Sequence, residues 1–349
     1  MAVASLTGRG RAVAELLAGS WRPAPVAAEG ADLDALAPLL LRGGAAALAW
    51  RRLSPAQRRD PSAAELQQAY RLQLLRAELH TMRVAGALAR LRRVGIDPVL
   101  AKGWAIAARY PEPALRPYGD IDLYVASADY ARAAETLRRH QDDANPVDLH
   151  RGVGDAGADE RAVLARTVRV AIDGENGDGG GDVRLFADED HLRLLALHLL
   201  RHGAWRPLWL CDIAVAVESA GAGFDWARLL DGDGRGWVGG ALALARELLG
   251  ARLPAEVAAR SSAPTWLATA VLRQWGDATF TPQGTRTPFV DSLSSPRALW
   301  SALRQRWPNP IEATLGVGAG FDERPRLPLQ LADCVRRTVG FARQLVTAR

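Results

Sequence analysis

The amino-acid sequence predicts an α+β protein in which helices dominate and a small mixed sheet lies between two helical regions. Apolar residues recur at three- and four-residue steps before residue 95 and after residue 190, as in amphipathic helices. Between these positions, short segments alternate polar and apolar residues, as half-buried strands do. We therefore divide the 349 residues into an N-terminal helical region at 1–94, an αβ core at 95–190 and a C-terminal helical region at 191–349.

The N-terminal region is expected to begin with short helices, interrupted at Gly43 and Gly44. A longer helix follows, with Ser62 and Glu65 at its head in the spacing of a capping box. Its apolar face includes Leu72, Leu75, Leu79 and Met82. Gly95 is predicted to end this helix.

The core is predicted to alternate short strands with helices. Its expected elements, in chain order, are an extended run "IDPVLAKG", a brief helix "WAIAARY", a strand "DIDLYV", a helix capped by Ser127, a strand "NPVDLHRGV", and a hairpin formed by "TVRVAID" and "DVRLF". Helices are expected from residue 191 onward, with a looser connection at 276–325 before the last helix, "LQLADCVRRTVGFARQLV".

Composition argues against nucleic acid and membrane as partners. The net charge of +5 arises at 297–349, where nine arginines face four acids, and no basic stripe with aromatic residues lies near the core. No apolar run approaches the roughly 18 to 20 residues that a membrane span requires. Because the N-terminus also lacks an uninterrupted apolar segment, we expect a cytoplasmic protein. Cys211 and Cys334 do not form a disulfide framework.

Lys102 is the single lysine among 44 basic residues. A compact ammonium that acts as a point charge on a phosphate resists replacement by the planar arginine fork, although chance survival also explains one lysine. Gly103 follows it and lets the backbone approach a phosphate, while the helix that begins near Trp104 offers unpaired N–H groups to an anion.

Asp120 and Asp122 are two residues apart on a predicted strand, so both carboxylates project from one face. Like charges at this spacing repel unless a cation lies between them, and oxygen ligands favour Mg²⁺. Asp148 supplies a third carboxylate if its strand is a neighbour, which would give a two-metal site for phosphoryl or nucleotidyl transfer. The alternative is that Asp-x-Asp is a solvated pair on an exposed strand.

The chain resembles the uncharacterised nucleotidyltransferase family of the polymerase-β-like superfamily over roughly residues 65 to 230. The segments that carry the resemblance are "LAKG", "LRPYGDIDLYV", "VDLH", "HLRLLALHLLRH", "LWLCDIAVAV" and "FDWARL". The resemblance implies a nucleotidyltransferase core in which Asp120, Asp122 and Asp148 hold Mg²⁺ or Mn²⁺ with a nucleoside triphosphate. Asp148 would help to deprotonate an acceptor hydroxyl, whose oxygen attacks the α-phosphorus and expels pyrophosphate. The residues implied to neutralise or approach the phosphates are Lys102, Gly103, Arg116 and Gly119.

Three further residues are expected to contact the acceptor or to support the site. His150 shares a face with Asp148 and is expected to orient that carboxylate, to accept a proton, or to make a structural hydrogen bond. His202 is placed at the pocket by the family pattern. Its spacing from His191 and His198 favours a packed or acceptor-facing helix face over a structural metal site. Asp212 lies in an apolar helix and needs a partner, either a buried arginine or the acceptor.

Two functions of different classes remain open, while a third, an enzyme that adds nucleotides to RNA or DNA, is disfavoured because no basic stripe with aromatic residues lies near the core. The first is Mg²⁺-dependent transfer of a nucleoside monophosphate from a nucleoside triphosphate to a hydroxyl of a small-molecule, peptide or protein acceptor, and the three carboxylates favour it. The alternative is a catalytically inactive nucleotidyltransferase-like binding protein in a biosynthetic or regulatory assembly. Gly103-Trp104, where the superfamily carries Gly-Ser, favours the alternative because the serine hydroxyl that contacts the terminal phosphates is missing.

Overall fold

The computed structural model describes residues 5–139, 147–172, 181–231, 235–279 and 295–347. Helices dominate these residues and surround one five-stranded sheet with parallel and antiparallel pairs, which confirms the predicted α+β class. None of the described helices is both long enough and apolar enough to cross a membrane.

Four helices precede the sheet: α1 (Leu6–Leu17), α2 (Leu33–Arg42), α3 (Ala46–Arg52) and α4 (Ala64–Arg93). The long helix predicted up to Gly95 is therefore confirmed as α4, but the capping box is wrong. The Ser62 hydroxyl donates instead to Asp34 in α2, and a 3-10 turn at Pro61–Ala63 precedes the helix. Ser62 thus joins two helices because a carboxylate from α2 reaches it.

The sheet has the strand order β3-β2-β1-β5-β4. Its strands are β1 (Val99–Ala101), β2 (Ile121–Val125), β3 (Val147–Arg151), β4 (Val168–Ala171) and β5 (Asp182–Leu185). β1 pairs antiparallel with β2 and parallel with β5, while β2 and β3 are parallel. β4 and β5 form the predicted antiparallel hairpin, and most of its turn lies outside the described residues.

Successive side chains of a strand point to opposite faces of the sheet, and both faces of the central strands are covered by apolar clusters. One face contributes Leu100 and Leu123 to an apolar cluster with α4 and with α6 (Tyr130–Arg138). The other face contributes Val99 and Tyr124 to a cluster that includes Leu194 of α8 (Asp188–Arg201). Side chains on this second face, Asp122 among them, therefore lie on the α8 side of the sheet.

Within the core, the two short helices are α5 (Gly103–Ala107), as predicted, and α7 (Glu160–Ala165). The predicted cap of α6 is wrong. The Ser127 hydroxyl donates to Glu160 at 2.8 Å, and the helix begins three residues later at Tyr130, where no side chain caps it. A carboxylate brought close by the fold again takes a hydroxyl that local sequence assigned to a cap.

All described elements of regular secondary structure in the C-terminal region are helices. They are α8, α9 (Pro207–Glu218), α10 (Trp226–Asp231), α11 (Trp237–Leu249), α12 (Ala255–Arg260), α13 (Thr265–Trp275), α14 (Pro296–Arg306), α15 (Pro310–Gly316) and α16 (Leu327–Thr347). The largest apolar core contains side chains from α1 to α4 together with α8, α9, α11 and α13. The two helical regions thus pack against each other and not only against the sheet.

Candidate functional site

A cavity of about 570 Å³ opens beside β2 and β3. Nine of the ten residues that the sequence singled out line it: Lys102, Gly103, Arg116, Gly119, Asp120, Asp122, Asp148, His150 and His202. The tenth, Asp212, is fully buried behind the wall of the cavity. Residues up to a hundred positions apart in sequence therefore converge on one space.

The carboxylates of Asp122 and Asp148 are brought together by strand register. Asp122 is paired with Asp148, and Tyr124 with His150, across the parallel strands β2 and β3. The Lys102 ammonium lies 2.6 Å from Asp122 Oδ1, and His150 Nε2 lies 3.0 Å from the same oxygen and 3.2 Å from Asp148 Oδ2. We refer to Lys102, Asp122, Asp148 and His150 as the charge cluster. Two cationic groups thus face two carboxylates.

His150 is held as a cation by its neighbours. Burial by itself lowers the pKa of His150, but the hydrogen bonds to Asp122 and Asp148 outweigh burial and raise that pKa to about 9. The same hydrogen bond from His150 lowers the pKa of Asp148. The His150 ring stacks on Tyr124 with centroids 4.2 Å apart, which fixes its plane over the sheet.

Asp120 differs from the charge cluster. It is exposed, it precedes β2 by one residue, and within the described part of the chain no cation forms an ion pair with it. It lines the same cavity as Asp122, as the sequence predicted for two carboxylates on one face. Its charge is therefore available to a cation that enters the cavity.

The backbone of Lys102 is strained. Its φ of 48° and ψ of −123° lie in a region that non-glycine residues rarely adopt. Two hydrogen bonds hold it there: the Lys102 N–H donates to His191 Nε2 at 3.1 Å, and its carbonyl accepts from the Ile106 N–H at 2.9 Å. Burial lowers the pKa of His191 to about 3, so this ring is neutral and its Nε2 can accept.

Arg116 and Asp212 form the buried ion pair that is one of the two roles predicted for Asp212. Arg116 Nη2 lies 2.8 Å from Asp212 Oδ2, and its Nε donates to both carboxylate oxygens at 3.2 Å. The Tyr110 hydroxyl donates to Asp212 Oδ1 at 2.8 Å. Because Nη1 also donates to the Pro117 carbonyl, the Arg116 guanidinium is bonded on every nitrogen. Its predicted contact with phosphate stays a prediction.

One wall of the cavity was only partly foreseen from the sequence. The end of α8 and the start of α9 bring together His198, His202 and Trp209, with ring centroids 4.6 to 5.3 Å apart. Burial lowers the pKa of both histidines, so their rings are neutral. Of these three residues, the sequence placed only His202 at the pocket. The segment "RHGAWRPLW" between two apolar helices was the available signal, since its aromatic and basic residues are concentrated at one helix connection.

The lysine and arginine side chains of the cavity fall into two groups. Lys102, Arg116 and Arg201 each have a carboxylate partner: Asp122, Asp212 and Asp155 respectively. The other two, Arg76 and Arg206, have no carboxylate within ion-pair distance among the described residues. Neither was predicted from the sequence.

The carboxylates fit a divalent cation. Ligand atoms of Asp122, Asp148 and His150 all lie within 4.8 Å of one another, and Asp148 and His150 retain partial exposure to the cavity. Carboxylate oxygens are the donors that Mg²⁺ and Mn²⁺ prefer, and the imidazole nitrogen of His150 becomes acceptable to Mn²⁺ once the ring has lost its proton. Such an ion would replace Lys102 and His150 as the counter-charge of the two carboxylates.

A family model described as uncharacterised nucleotidyltransferase matches residues 29–250. The match begins before α2, covers the whole sheet and the cavity, and ends after α11. Neither curated proteins nor solved structures give a significant match to the chain.

Proposed function

The chain belongs to this uncharacterised nucleotidyltransferase family, and from that premise we propose that it transfers a nucleoside monophosphate from a nucleoside triphosphate to an acceptor hydroxyl, with Mg²⁺ or Mn²⁺ as cofactor. The acceptor is a small molecule or a peptide or protein side chain. One observation carries the proposal: Asp122 and Asp148 are register partners on adjacent parallel strands and face a cavity that Asp120 also lines.

Asp120, Asp122 and Asp148 are the residues that would hold the cation, which supplies charge stabilisation to the triphosphate when it is bound. Asp148 is the exposed carboxylate of the charge cluster and is the group we assign to accept the proton of the attacking hydroxyl. The hydroxyl oxygen forms a bond to the α-phosphorus, the bond from that phosphorus to the pyrophosphate oxygen breaks, and pyrophosphate leaves with its electron pair.

The neutral rings of His198, His202 and Trp209 support a role in holding a planar or apolar part of a ligand. All three residues line the cavity, and the Trp209 ring lies 5.7 Å from the guanidinium carbon of Arg206. A nucleobase or an apolar part of the acceptor can stack on these rings, and because the imidazoles are neutral, the contact does not bury a charge. We assign this wall to ligand positioning and the carboxylate side of the cavity to chemistry.

A second candidate function is a catalytically inactive nucleotide-binding protein in a biosynthetic or regulatory assembly. One observation favours it: Lys102 and His150 already neutralise Asp122 and Asp148 without an added ion. Trp104 adds to this, since its indole N–H donates to Thr81 of α4 at 3.3 Å instead of offering a hydroxyl to phosphate.

Pyrophosphate release separates the two functions. The protein is incubated with Mg²⁺ or Mn²⁺ and each nucleoside triphosphate, and the wild type is compared with Asp120→Asn combined with Asp122→Asn. Loss of the carboxylates should lower the rate by at least about 100-fold. The matched control replaces Asp97 and Asp182 by Asn, since these pair with Arg92 and Arg169 and do not line the cavity.

The control variant should release pyrophosphate like the wild type. Equal rates from the wild type and the Asp120/Asp122 variant would contradict transferase activity at this site. Nucleotide binding by the wild type without any pyrophosphate release, from all four triphosphates and with either ion, would support the inactive binding protein.

A further inference from the structure

We propose that Arg206 is an anion-binding residue, which receives a phosphate or carboxylate group of the ligand on the wall of the cavity beside the rings. The identity of that ligand rests on the proposed function, whereas the presence of the binding group does not. No motif in the sequence marks Arg206, and the superfamily resemblance assigns it no role.

Arg206 is held in place from three sides. It precedes α9 by one residue, and its Nε donates to the Gly43 carbonyl at 3.3 Å in the connection between α2 and α3. Its guanidinium carbon lies 5.7 Å from the centre of the Trp209 ring. Gly44, whose φ is 69°, passes directly beneath it, and a Cβ there would lie 2.3 Å from Nη2. The lack of a side chain at Gly44, between α2 and α3, therefore leaves the space that the Arg206 guanidinium occupies.

Arg206 forms no ion pair with a carboxylate among the described residues. The negative charges of Asp212 and Asp120 act on it from beyond ion-pair distance, and the positive charge of Arg116 opposes it. Burial is the main reason that the pKa of Arg206 falls to about 10, which still leaves the group charged at neutral pH. A desolvated charge without a partner destabilises the folded state, so an anion from outside the chain is the missing partner.

The other cations of the cavity do not share this position. Lys102, Arg116 and Arg201 are paired with carboxylates. Arg76 is unpaired within the described residues, but it is exposed on α4, where water can solvate it. Arg206 alone combines a partly buried guanidinium, a cavity-facing position and the lack of a carboxylate partner among the residues the structure describes.

The geometry of the group defines the chemistry of its ligand. Among the residues that the structure describes, Arg206 donates a hydrogen bond only through Nε, so the donors on both Nη atoms remain for an acceptor. A planar guanidinium with two such nitrogens matches the paired oxygens of phosphate or carboxylate. Arg206 and Asp120 line the same cavity, so one ligand in that cavity can contact both Arg206 and a cation held by the carboxylates. The anion is either the triphosphate tail or an acidic group of the acceptor.

Binding of inorganic pyrophosphate tests the assignment without turnover. Isothermal titration with Mg²⁺ present compares the full-length wild type with Arg206→Gln and with Arg201→Gln, which removes one positive charge from the same cavity but from an existing ion pair with Asp155. Arg206→Gln should weaken pyrophosphate binding about 10- to 100-fold. Arg201→Gln should weaken pyrophosphate binding by less than about threefold, because it removes only a long-range electrostatic attraction.

Competition identifies the source of the anion. If a bound nucleoside triphosphate displaces pyrophosphate from the wild type, Arg206 receives the triphosphate tail. If pyrophosphate binds in the presence of saturating triphosphate and still depends on Arg206, the group receives the acceptor. Equal pyrophosphate affinity of the wild type and Arg206→Gln would overturn the proposal in both forms.

Thermal unfolding without ligand separates a binding role from a structural one. Removing an unpaired charge should leave the melting temperature of Arg206→Gln equal to or above that of the wild type, and the stabilisation by pyrophosphate should disappear. A lower melting temperature combined with an unchanged pyrophosphate shift would make Arg206 structural and overturn the proposal. If pyrophosphate binding depends on Arg206 but the wild type releases no pyrophosphate from any triphosphate, the proposed transferase fails while this inference stands.

Discussion

Two groups of charges share the cavity and differ in how completely the protein satisfies them. Arg116 and Asp212 are 6% and 0% exposed, and every polar atom of the Asp212 carboxylate is bonded by Arg116 or Tyr110. In the charge cluster, Asp122 is 4% exposed, but Asp148 is 55% exposed and shares its partner His150 with Asp122. The first group fastens α9 to the connection between β1 and β2. The second holds its carboxylates with partners that an incoming cation can replace.

Breaking the buried pair should have the largest effect on stability. Arg116→Met leaves the Asp212 carboxylate without a counter-charge in the interior, and we expect a loss of about 3–5 kcal/mol in the free energy of unfolding. Urea denaturation measures it. The control is Arg116→Met combined with Asp212→Leu, which should recover most of the loss because no charge remains buried. A loss below about 1 kcal/mol in the single variant would contradict a structural role for the pair.

Removing the lysine of the charge cluster should lower the free energy of unfolding by less than removing Arg116. Lys102→Met keeps the β-carbon and therefore the same backbone strain, while His150 still faces Asp122, so we expect a loss of about 1–3 kcal/mol. Mg²⁺ or Mn²⁺ should restore part of that loss, because the ion stabilises the folded state by binding the exposed carboxylates. The same ions should not rescue Arg116→Met. If the ions stabilise both variants equally, or neither of them, the charge cluster and the Arg116–Asp212 pair do not differ in the way we expect.

His191 connects the strained backbone of Lys102 to pH. The pKa of His191 is about 3 in the folded protein and near 6.5 in the unfolded chain. Between pH 3 and pH 6.5, the unfolded chain therefore binds a proton at His191 that the folded protein does not bind. Stability should therefore fall as pH drops below about 6.5, by up to about 1.4 kcal/mol per unit from this residue. The Gln of His191→Gln can still accept from the Lys102 N–H. Between pH 7 and pH 5, this variant should take up about one proton fewer on unfolding, so its free energy of unfolding should depend less steeply on pH. Identical slopes in urea denaturation would contradict this assignment.

The smallest effect on stability is expected at Asp120. This carboxylate is exposed and forms no ion pair within the described residues, so Asp120→Asn should change the free energy of unfolding by less than about 0.5 kcal/mol. Under the proposed function, pyrophosphate release should nevertheless fall by at least about 100-fold. Stability and activity are measured on the same preparation. A variant that unfolds more easily by over 1 kcal/mol would place Asp120 with the structural charges.

The sequence predicted those parts of the site that depend on local periodicity. The strands that carry Asp122 and Asp148 follow from alternation of polar and apolar residues, and alternation also places His150 beside Asp148. Partners remote in sequence were not predictable in this way. Arg116 binds a carboxylate 96 positions away, and Ser62 and Ser127 bond to carboxylates of other elements instead of capping helices. Arg206 was missed because its position depends on Gly43 and Gly44, which no local pattern connects to it.

The long separation between these partners orders the assembly of the site during synthesis. All five strands are complete once residue 185 has been made, yet Lys102 then still lacks His191, and Arg116 and Tyr110 lack Asp212. A fragment that stops at residue 190 contains all five strands but lacks the carboxylate that neutralises Arg116. The cavity can be complete only after α9 has been synthesised, because Arg206 and Trp209 line it and Asp212 neutralises Arg116.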